Sequence, residues 1–575
     1  MLNLIDITSF LTSYWYLVVL ILTYVILVAF LDGRGILNKY NITAHYFLGF
    51  PILMIRTNRG QGFLDRLAVH KRFWRTFANI GLPAMLLGML AMFILVLRFD
   101  IYLISAFQTN TVPPPGKFSE LRNIFLIPGI NEFIPLWYGI IALIVTLAVH
   151  EFSHAVLCKV EGIKVKSMGI LLAVVPIGGF AEPDEEQLLG KNEEKAGNEG
   201  SLEQEPKKLA TRNERVRVLT SGVMANFVTA LIAFILFFSL LSYISPVGEV
   251  MVTNVIAGSP AEMAGIKTGM IITGINNTQI NNGNDFLLYS RTLQPGSNVT
   301  LELIDRGVRK ETGLVAAAGN ETRTAVKVDS VIEGSPAEAA GIKKDMVLVR
   351  IDDTEIKGIE DVVAFMNSTR PGQKLDIYFM SNSSSPVEFK NVELANHPEP
   401  GVQKGFLGII YSAADGAISY SLGIGIGQFQ AKSYLRMLTG IPSLLTEYKG
   451  WILLIGLPII GLTGEGFPGF SGLITNFYEP TGPAVYFGAG IFVMLNILMW
   501  IGWMNFYVGL FNCLPAVPLD GGHVFRDVMT SSLSKVIGNG EKVENISNAI
   551  VVIFAILILF SLLFVMFAPY AAHGI

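Results

Sequence analysis

The chain has 575 residues, of which 51% are apolar and 15% are charged, and its formal net charge is -4. This composition and a mean hydropathy of +0.51 exclude an ordinary soluble protein and predict a membrane protein with several domains. No basic cluster is dense enough to follow a phosphate backbone, so nucleic acid is not an expected partner. Two cysteines, Cys158 and Cys513, do not form a disulfide framework and are expected to be small buried residues.

Apolar segments in the chain predict about six membrane spans, since a helix needs roughly 20 residues to cross the hydrocarbon. The segments cover residues 14–31, 77–97, 133–157, 218–243, 487–511 and 548–568. The first has no basic flank or cleavage site, so we read it as a true span rather than a signal peptide. The run 451–462 is too short to cross, and we predict an interfacial or re-entrant segment there.

Basic residues indicate the orientation of the spans, because Lys and Arg concentrate in cytoplasmic loops. They cluster between the first two spans and again in the charged loop 184–217, which we predict to be flexible and cytoplasmic. The fourth span then runs outward, and the polar region from 248 to 400 is extracytoplasmic. The expected localisation is a multi-pass protein of the cell membrane.

A His-Glu-x-x-His motif lies in the third span and carries the main chemical signal. Its residues His150 and His154 are four apart, so both imidazoles face one side of a helix and can bind one metal, with Glu151 beside them. Asp520 follows the span 487–511 in the sequence Leu-Asp-Gly-Gly. An ionisable residue inside a membrane costs about 2.5–3.5 kcal/mol, and packing alone does not explain such a cluster.

A catalytic zinc keeps three protein ligands and one open position, so we assign one Zn2+ to His150, His154 and Asp520. Glu151 is the candidate general base and acid of peptide hydrolysis. This site is expected near the cytoplasmic end of its helices. Asn226 and Asn512 are candidates for stabilising an oxyanion or positioning substrate, although an Asn in a membrane helix can instead bond a neighbouring helix.

The polar region contains a tandem repeat. Residues 252–280 recur as residues 328–356, each with a strand, a Gly-Ser-Pro-Ala-Glu turn, a short helix and another strand. The pattern resembles PDZ domains, which bind extended peptides or chain termini along a sheet edge. Two small β-rich spacers without a ligand are the alternative.

Taken together, the motifs resemble the site-2 protease family, intramembrane zinc metalloproteases of peptidase family M50, in the branch with tandem PDZ domains. The resemblance rests on His150 to His154, the Pro176-Ile-Gly-Gly-Phe180 stretch, Gly222-x-x-x-Asn226, and the run from Asn512 to His523. It implies zinc binding by His150, His154 and Asp520, a base at Glu151, and substrate-positioning roles for Asn226 and Asn512. The two N-terminal spans depart from the four-span branch.

The family resemblance also gives the stretch Pro176, Ile177, Gly178, Gly179 and Phe180 the role of a membrane-re-entrant hairpin whose edge strand pairs with substrate. A tight connector is the alternative. The implied substrate is a transmembrane segment of a single-span protein, already shortened by another protease, in regulated intramembrane proteolysis. A catalytically silent scaffold that recruits partners through the PDZ pair is the second hypothesis. A metal-ion transporter is disfavoured, because the other spans lack further acidic or His ligands.

The expected fold is an α-helical polytopic membrane protein with a re-entrant β-hairpin and two small α/β PDZ domains. The bilayer and the substrate are the predicted partners, and no oligomeric state is predicted. The predicted divisions are an N-terminal two-span extension over 1–130, the first half of the protease core over 131–247, PDZ domains over 248–320 and 321–400, a linker over 401–486, and the second half of the core over 487–575.

Overall fold

The computed structural model describes residues 15–574 except 48–49, 58–60, 125, 174, 190–208, 257, 318–321, 333, 345, 357, 381–385, 398–403, 420, 461–466 and 468. Its helices are α1 (Trp15–Gly33), α2 (Ile36–Lys39), α3 (Gln61–Ala68), α4 (Lys71–Gln108), α5 (Leu121–Ile124), α6 (Leu136–Glu161), α7 (Glu185–Leu189), α8 (Arg212–Leu241), α9 (Pro260–Met263), α10 (Gly283–Thr292), α11 (Pro336–Ala340), α12 (Ile359–Asn367), α13 (Ala431–Leu444), α14 (Tyr448–Ile460), α15 (Gly490–Asn512), α16 (Asp520–Leu533) and α17 (Gly540–His573).

The strands are β1 (Ile42–Phe47), β2 (Phe50–Thr57), β3 (Val165–Ala173), β4 (Val175–Pro183), β5 (Ile244–Pro246), β6 (Val250–Val255), β7 (Ile271–Ile275), β8 (Thr278–Gln279), β9 (Asn298–Asp305), β10 (Val308–Val315), β11 (Thr322–Val331), β12 (Val347–Ile351), β13 (Thr354–Glu355), β14 (Lys374–Met380), β15 (Pro386–Glu393), β16 (Ala395–Asn396), β17 (Gly405–Phe406), β18 (Ile409–Ser419), β19 (Ile424–Gln428) and β20 (Tyr478–Pro480). Two 3-10 helices cover Gly472–Phe477 and Gly482–Phe487.

The chain divides into two compact units. The first unit contains Met1–Phe238, Leu445–Pro468 and Met494–Ile575, and the second contains Ser239–Leu444 and Gly469–Val493. Long apolar helices dominate the first unit, whereas strands dominate the second. Each unit is therefore formed from segments that are distant in sequence.

In the described part of the chain, five helices are long and apolar enough to cross a membrane: α4, α6, α8, α15 and α17. Their presence makes the chain a multi-pass membrane protein. α4 extends beyond the predicted span 77–97 at both ends, from Lys71 to Gln108, and residues 101–107 after Arg98 and Asp100 are again mainly apolar. The first predicted span falls on α1, except for residue 14, which lies outside the described residues. α14 covers most of the short run 451–462, of which residues 461–462 are outside the description.

A four-stranded antiparallel sheet in the order β1-β2-β3-β4 lies in the first unit. The sequence predicts only a hairpin here, and β3 and β4 form that hairpin. β2, from the N-terminal extension, pairs Leu53–Thr57 with Leu172–Met168, and β1 pairs with β2, so the two-stranded hairpin becomes a four-stranded sheet. The hydroxyl of Tyr24 on α1 donates to the carbonyls of Pro51 and Leu172 at 3.0 and 2.9 Å. The N-terminal extension therefore stabilises the hairpin through strand pairing and hydrogen bonds. β4 remains an edge strand of the sheet.

The tandem repeat forms two β domains with matching turns. Ser259 and Ser335 cap α9 and α11, because each side chain accepts the backbone N–H three residues later, of Glu262 and Glu338. The Glu262 carboxylate also accepts the N–H of Gly258, the residue before the N-cap, at 2.6 Å, and so links the turn to the first turn of α9. Gly258 has a φ of 73°, a conformation that favours glycine.

Strands β18 and β19 complete the two β domains from outside the repeat. Leu422, Ile424 and Ile426, around β19, are buried in the core of the first domain. Leu407, just before β18, is buried in the core of the second domain. The sequence predicts a linker from residue 401, whereas the sheet continues to Gln428. The reason is that each domain core needs one more strand than the repeat supplies, and β18 and β19 provide these strands. The 12-stranded sheet has the main order β10-β9-β7-β6-β19-β18-β11-β12-β14-β15.

Candidate metal centre

Helix α6 brings the two predicted histidine ligands together. Its apolar residues form a continuous helix, so His150 and His154 lie one turn apart on the same face. Their Nε2 atoms are 3.1 Å apart, and their rings are nearly perpendicular, at 86°. His150 is only 7% exposed, so the pair lies inside the helical unit. The two rings therefore present adjacent nitrogen donors.

Asp520 reaches the same point from the first turn of α16. Its Oδ2 atom is 3.2 Å from Nε2 of His150 and 3.2 Å from Nε2 of His154. The two glycines after it permit this approach: a Cβ at Gly521 would lie 2.4 Å from the carbonyl oxygen of Cys513, and a Cβ at Gly522 would lie 2.5 Å from the carbonyl carbon of Ala516. The Asp-Gly-Gly sequence lets the helix start against the preceding loop.

The three donor atoms fit a zinc ion. They form a nearly equilateral triangle with edges of 3.1, 3.2 and 3.2 Å. Tetrahedral ligand atoms at zinc distances of about 2.0–2.1 Å are roughly 3.3 Å apart, close to these edges. Asp520 Oδ2 is also a buried atom without a hydrogen-bond partner, which fits an acceptor that binds a cation. Within the described residues, these three side chains form a group able to hold a metal.

Helix α8 orients both imidazoles through contacts with their Nδ1 atoms. The carbonyl of Val218 lies 2.8 Å from Nδ1 of His154, so this nitrogen carries the proton and donates to it. The Asn226 amide nitrogen lies 3.2 Å from Nδ1 of His150, and its Oδ1 is buried without a partner. Turning the amide by 180° lets Nδ1–H of His150 donate to Oδ1. Both Nε2 atoms then remain free to bind a metal.

Gly222 lies between these two contacts on α8 and faces the rings directly. A Cβ there would lie 2.5 Å from Nε2 of His154 and 2.7 Å from Cε1 of His150. The glycine of the predicted Gly-x-x-x-Asn pattern therefore leaves the space in which the histidines converge. The motif in the sequence includes Gly222, but the sequence does not show why a glycine is needed there.

Glu151 lies next to the ligands and contacts the edge strand. Its Oε2 accepts a hydrogen bond from the backbone N–H of Ala181 at 2.7 Å. Ala181 belongs to β4, together with the predicted residues Pro176 to Phe180. Phe180 is half-buried, and its ring lies where a Cβ at Gly169 would be. The side chains of residues 176–179 lie outside the description, which covers their strand backbone.

Asn512 is placed differently from Asn226. Its amide nitrogen donates to the carbonyl of Val508, one turn earlier in α15, at 3.1 Å. Among the described contacts, this is a local bond within its own helix. Its predicted role in positioning substrate remains a prediction, as does that of Asn226.

Several groups that the sequence did not predict support the site through contacts between residues far apart in the chain. They are the Val218 carbonyl, the Ala181 N–H and the ion pair of Arg215 with Asp527, whose guanidinium donates to both carboxylate oxygens at 2.7 and 2.6 Å. The last two residues are 312 positions apart. No local pattern could have linked them.

Two histidines and a carboxylate beside a further carboxylate define the centre of a metal-dependent hydrolase. A family model described as Peptidase family M50 matches residues 138–558, which is most of the chain. The chain therefore belongs to peptidase family M50 and is a metalloprotease. Zinc is the metal that the family and the donor set imply.

Several individual proteins are also similar to this chain. An uncharacterized protein of Methanocaldococcus jannaschii is 29% identical over 296 residues, which cover 51% of this chain and 68% of that protein. A putative zinc metalloprotease of Clostridium perfringens is 28% identical over 224 residues, 36% of this chain and 62% of the relative. A regulator of sigma E protease of Haemophilus influenzae is 22% identical over 449 residues, 71% of this chain and 92% of the relative.

Proposed function

We propose that this protein is an intramembrane zinc metalloprotease that hydrolyses peptide bonds within transmembrane segments of single-span membrane proteins. The observation that carries the proposal is the triangle of donor atoms from His150, His154 and Asp520, formed where α6, a helix able to span a membrane, meets α16. One Zn2+ would be held by these three residues. An ion-binding centre among such apolar helices is costly to build, and hydrolysis inside the bilayer gives it a use.

The chain's own residues supply the proton transfers. Bound zinc would provide Lewis-acid chemistry, polarising a carbonyl and acidifying water. Glu151 is the proposed base: it takes the proton of the attacking water and later delivers it to the leaving amine. Its hydrogen bond from Ala181 holds the carboxylate at the side of the site next to β4. Asn226 orients His150, which is its proposed contribution to catalysis.

The proposed substrate is an unwound transmembrane segment that adds to β4 as an extra strand. The support is that β4 ends the order β1-β2-β3-β4 and so has an unpaired side within the described sheet. Strand addition would supply backbone hydrogen bonds that do not depend on side chains. The edge strand would then place a substrate peptide bond beside Glu151. A substrate already shortened by another protease, as in regulated intramembrane proteolysis, fits this proposal.

We also propose that the two β domains are PDZ domains outside the cytoplasm and hold or screen substrates. The second domain has an apolar cavity of about 160 Å³ between α12 and β18, lined among others by Leu348, Ile351, Val362 and Met366. An extended peptide could add beside β18 there. In the first domain, the equivalent strand β19 is paired with residues 416–419 of β18. The proposed peptide groove is therefore in the second domain.

Cleavage in liposomes tests the proposed reaction. Purified wild type, Glu151→Gln and Asp520→Ala are each reconstituted with a panel of single-span model substrates, with and without a chelator. We expect a chelator-sensitive product from the wild type alone. We also expect the Glu151→Gln protein to retain zinc and the Asp520→Ala protein to lose it, because only the latter removes a ligand. Equal zinc content in wild type and Asp520→Ala would contradict the ligand assignment, and cleavage by Glu151→Gln at the wild-type rate would contradict the base.

A further inference from the structure

Asp520 is the ligand whose position is hardest to explain locally. It is the first residue of α16, and the N-cap residue Leu519 makes no side-chain capping bond. The two histidines, by contrast, lie within the long helix α6. An additional contact is needed to hold α16 at the correct height and rotation, because a ligand must be placed to within a few tenths of an ångström.

Such a contact lies seven residues further along α16. Seven residues are two helical turns, so Asp527 lies on the same face as Asp520 and roughly 10 Å below it. Its carboxylate is held by both Nε and Nη2 of Arg215, at 2.7 and 2.6 Å. The Asp527 side chain is 4% exposed and that of Arg215 is 15% exposed. This is a buried, bidentate ion pair, the strongest geometry for this pairing.

The histidine helix has an equivalent pair. Glu161, seven residues after His154, accepts a hydrogen bond from Nε of Arg217 at 2.7 Å, and its side chain is fully buried. Arg75 on α4 donates to the same carboxylate at 2.9 Å. Each of the two ligand helices therefore carries a buried acid two turns beyond a ligand, paired with an arginine of α8.

The two arginines extend to opposite sides of one helix. Residues 215 and 217 are about 200° apart around the axis of α8, since each residue turns the helix by about 100°. Arg215 contacts α16, and Arg217 contacts α6. Higher on α8, Val218 and Asn226 contact the two histidines themselves. α8 thus holds both ligand helices at once.

We propose that Arg215 and Arg217 are positioning residues that form a clamp between α6 and α16, and that this clamp sets the separation of Asp520 from His150 and His154. The clamp does not touch the metal. It acts by preventing α16 from sliding or rotating relative to α6. This inference rests on the metal site proposed above, and zinc binding by the wild type tests that site separately.

Zinc affinity of the full-length protein in nanodiscs, measured by competition with a chelator, tests the clamp. The variants are Asp527→Asn, Glu161→Gln and the exchanged pair R215D/D527R. The control is Asp65→Asn, which removes the ion pair of Asp65 with Lys159 near the end of α6, at 2.9 Å, on a half-exposed surface. The visible spectrum of the Co2+-loaded protein reports the geometry of the ligands, and thermal unfolding is recorded for every variant.

We expect Asp527→Asn and Glu161→Gln to weaken zinc binding by about 10-fold or more and to alter the Co2+ spectrum, as contacts that orient metal ligands do. R215D/D527R is expected to restore both, and Asp65→Asn to change neither. Wild-type affinity and spectrum in Asp527→Asn would overturn the clamp, as would an equal loss in the control. If Asp527→Asn does not fold, the exchanged pair decides: a folded protein with zinc affinity near wild type supports the clamp, and a folded protein with at least 10-fold weaker binding overturns it.

Discussion

At the scale of single residues, the metal centre depends as much on what surrounds the ligands as on the ligands. His150 and His154 would bind a metal through Nε2 only if their Nδ1 atoms carry protons. The Val218 carbonyl accepts the proton of His154, and the Asn226 amide, turned so that its Oδ1 faces His150, accepts the other. Gly222 contributes by having no side chain. The space above it is occupied by the two imidazoles.

Substitution of Gly222 by Ala is predicted to damage the metal centre without unfolding the protein. The new Cβ would lie 2.5 Å from Nε2 of His154, well inside contact distance, so the rings must move apart. We expect zinc affinity to fall by at least about 10-fold. The measurement is chelator competition with the purified protein.

A matched control for this substitution is Gly440→Ala. Gly440 is also within a helix, α13, but a Cβ there has no atom within 4 Å. We expect unchanged zinc affinity and a free energy of unfolding raised by about 0.5–1 kcal/mol, because alanine restricts the unfolded chain. An equal loss of zinc in both variants would show that Gly222 does not act through the histidines.

At the scale of elements, the four-stranded sheet links the N-terminal extension to the site. Its edge strand β4 carries the Ala181 N–H that contacts Glu151, and its other half is formed by β1 and β2. Close packing of β2 against β3 occurs at Gly169, where a Cβ would lie 2.0 Å from the carbonyl oxygen of Ile55. The two strands can therefore approach only if this residue lacks a side chain.

Gly169→Ala is accordingly predicted to impair cleavage while leaving zinc bound. The substitution forces β3 away from β2 and shifts β4, and a displacement of about 1 Å at a catalytic site can cost about 100-fold in rate. The readout is the ratio of cleavage rate to zinc content. Gly313→Ala, in strand β10 with no atom within 4 Å of the new Cβ, is the control and is expected to match the wild type. Loss of zinc from Gly169→Ala would place the effect at the ligands instead.

At the scale of the whole molecule, the order of segments in the chain differs from their order in space. The first β domain begins at residue 250 and receives its last core strand, β19, only after the second domain has been completed. Residues 445–468 and 494–575 then return to the helical unit. The chain therefore passes from one unit to the other several times.

An isolated fragment of residues 248–320 is predicted not to fold. It lacks Leu422, Ile424 and Ile426, which are 0%, 0% and 2% exposed in the core of the first domain. Burial of three such side chains contributes about 5–9 kcal/mol, comparable with the whole stability of a small domain. A fragment of residues 248–428 supplies them and is expected to unfold cooperatively by circular dichroism. Cooperative unfolding of the shorter fragment would contradict this dependence on β19.

The orientation of the protein in the membrane gives a prediction from charge. A cysteine introduced at the exposed residue Ser330 is expected to react with an impermeant reagent added outside intact cells. A cysteine at Leu209, which is 56% exposed and lies in the basic loop, is expected to react only after lysis. The native Cys158 and Cys513 are buried and give a low background. The reverse labelling pattern would invert the topology.

The chemistry could be predicted from the amino-acid sequence, because the relevant signals are local. Two histidines four residues apart face one side of any helix, and an apolar run of 20 residues is a span in any arrangement. The tandem repeat likewise predicted two similar domains. Asp520 could be named from its Asp-Gly-Gly sequence and the family resemblance, although its meeting with the histidines is a long-range contact.

Which elements support that chemistry becomes apparent only in the folded chain. The pairing of Arg215 with Asp527, the addition of β1 and β2 to the hairpin, and the pairing of β19 with β6 of the first domain all join residues that are far apart in sequence. Such contacts depend on how helices and strands pack, and the residue types at either end are common. The spacing within one element is a property of the backbone, whereas the meeting of two elements is a property of the whole fold.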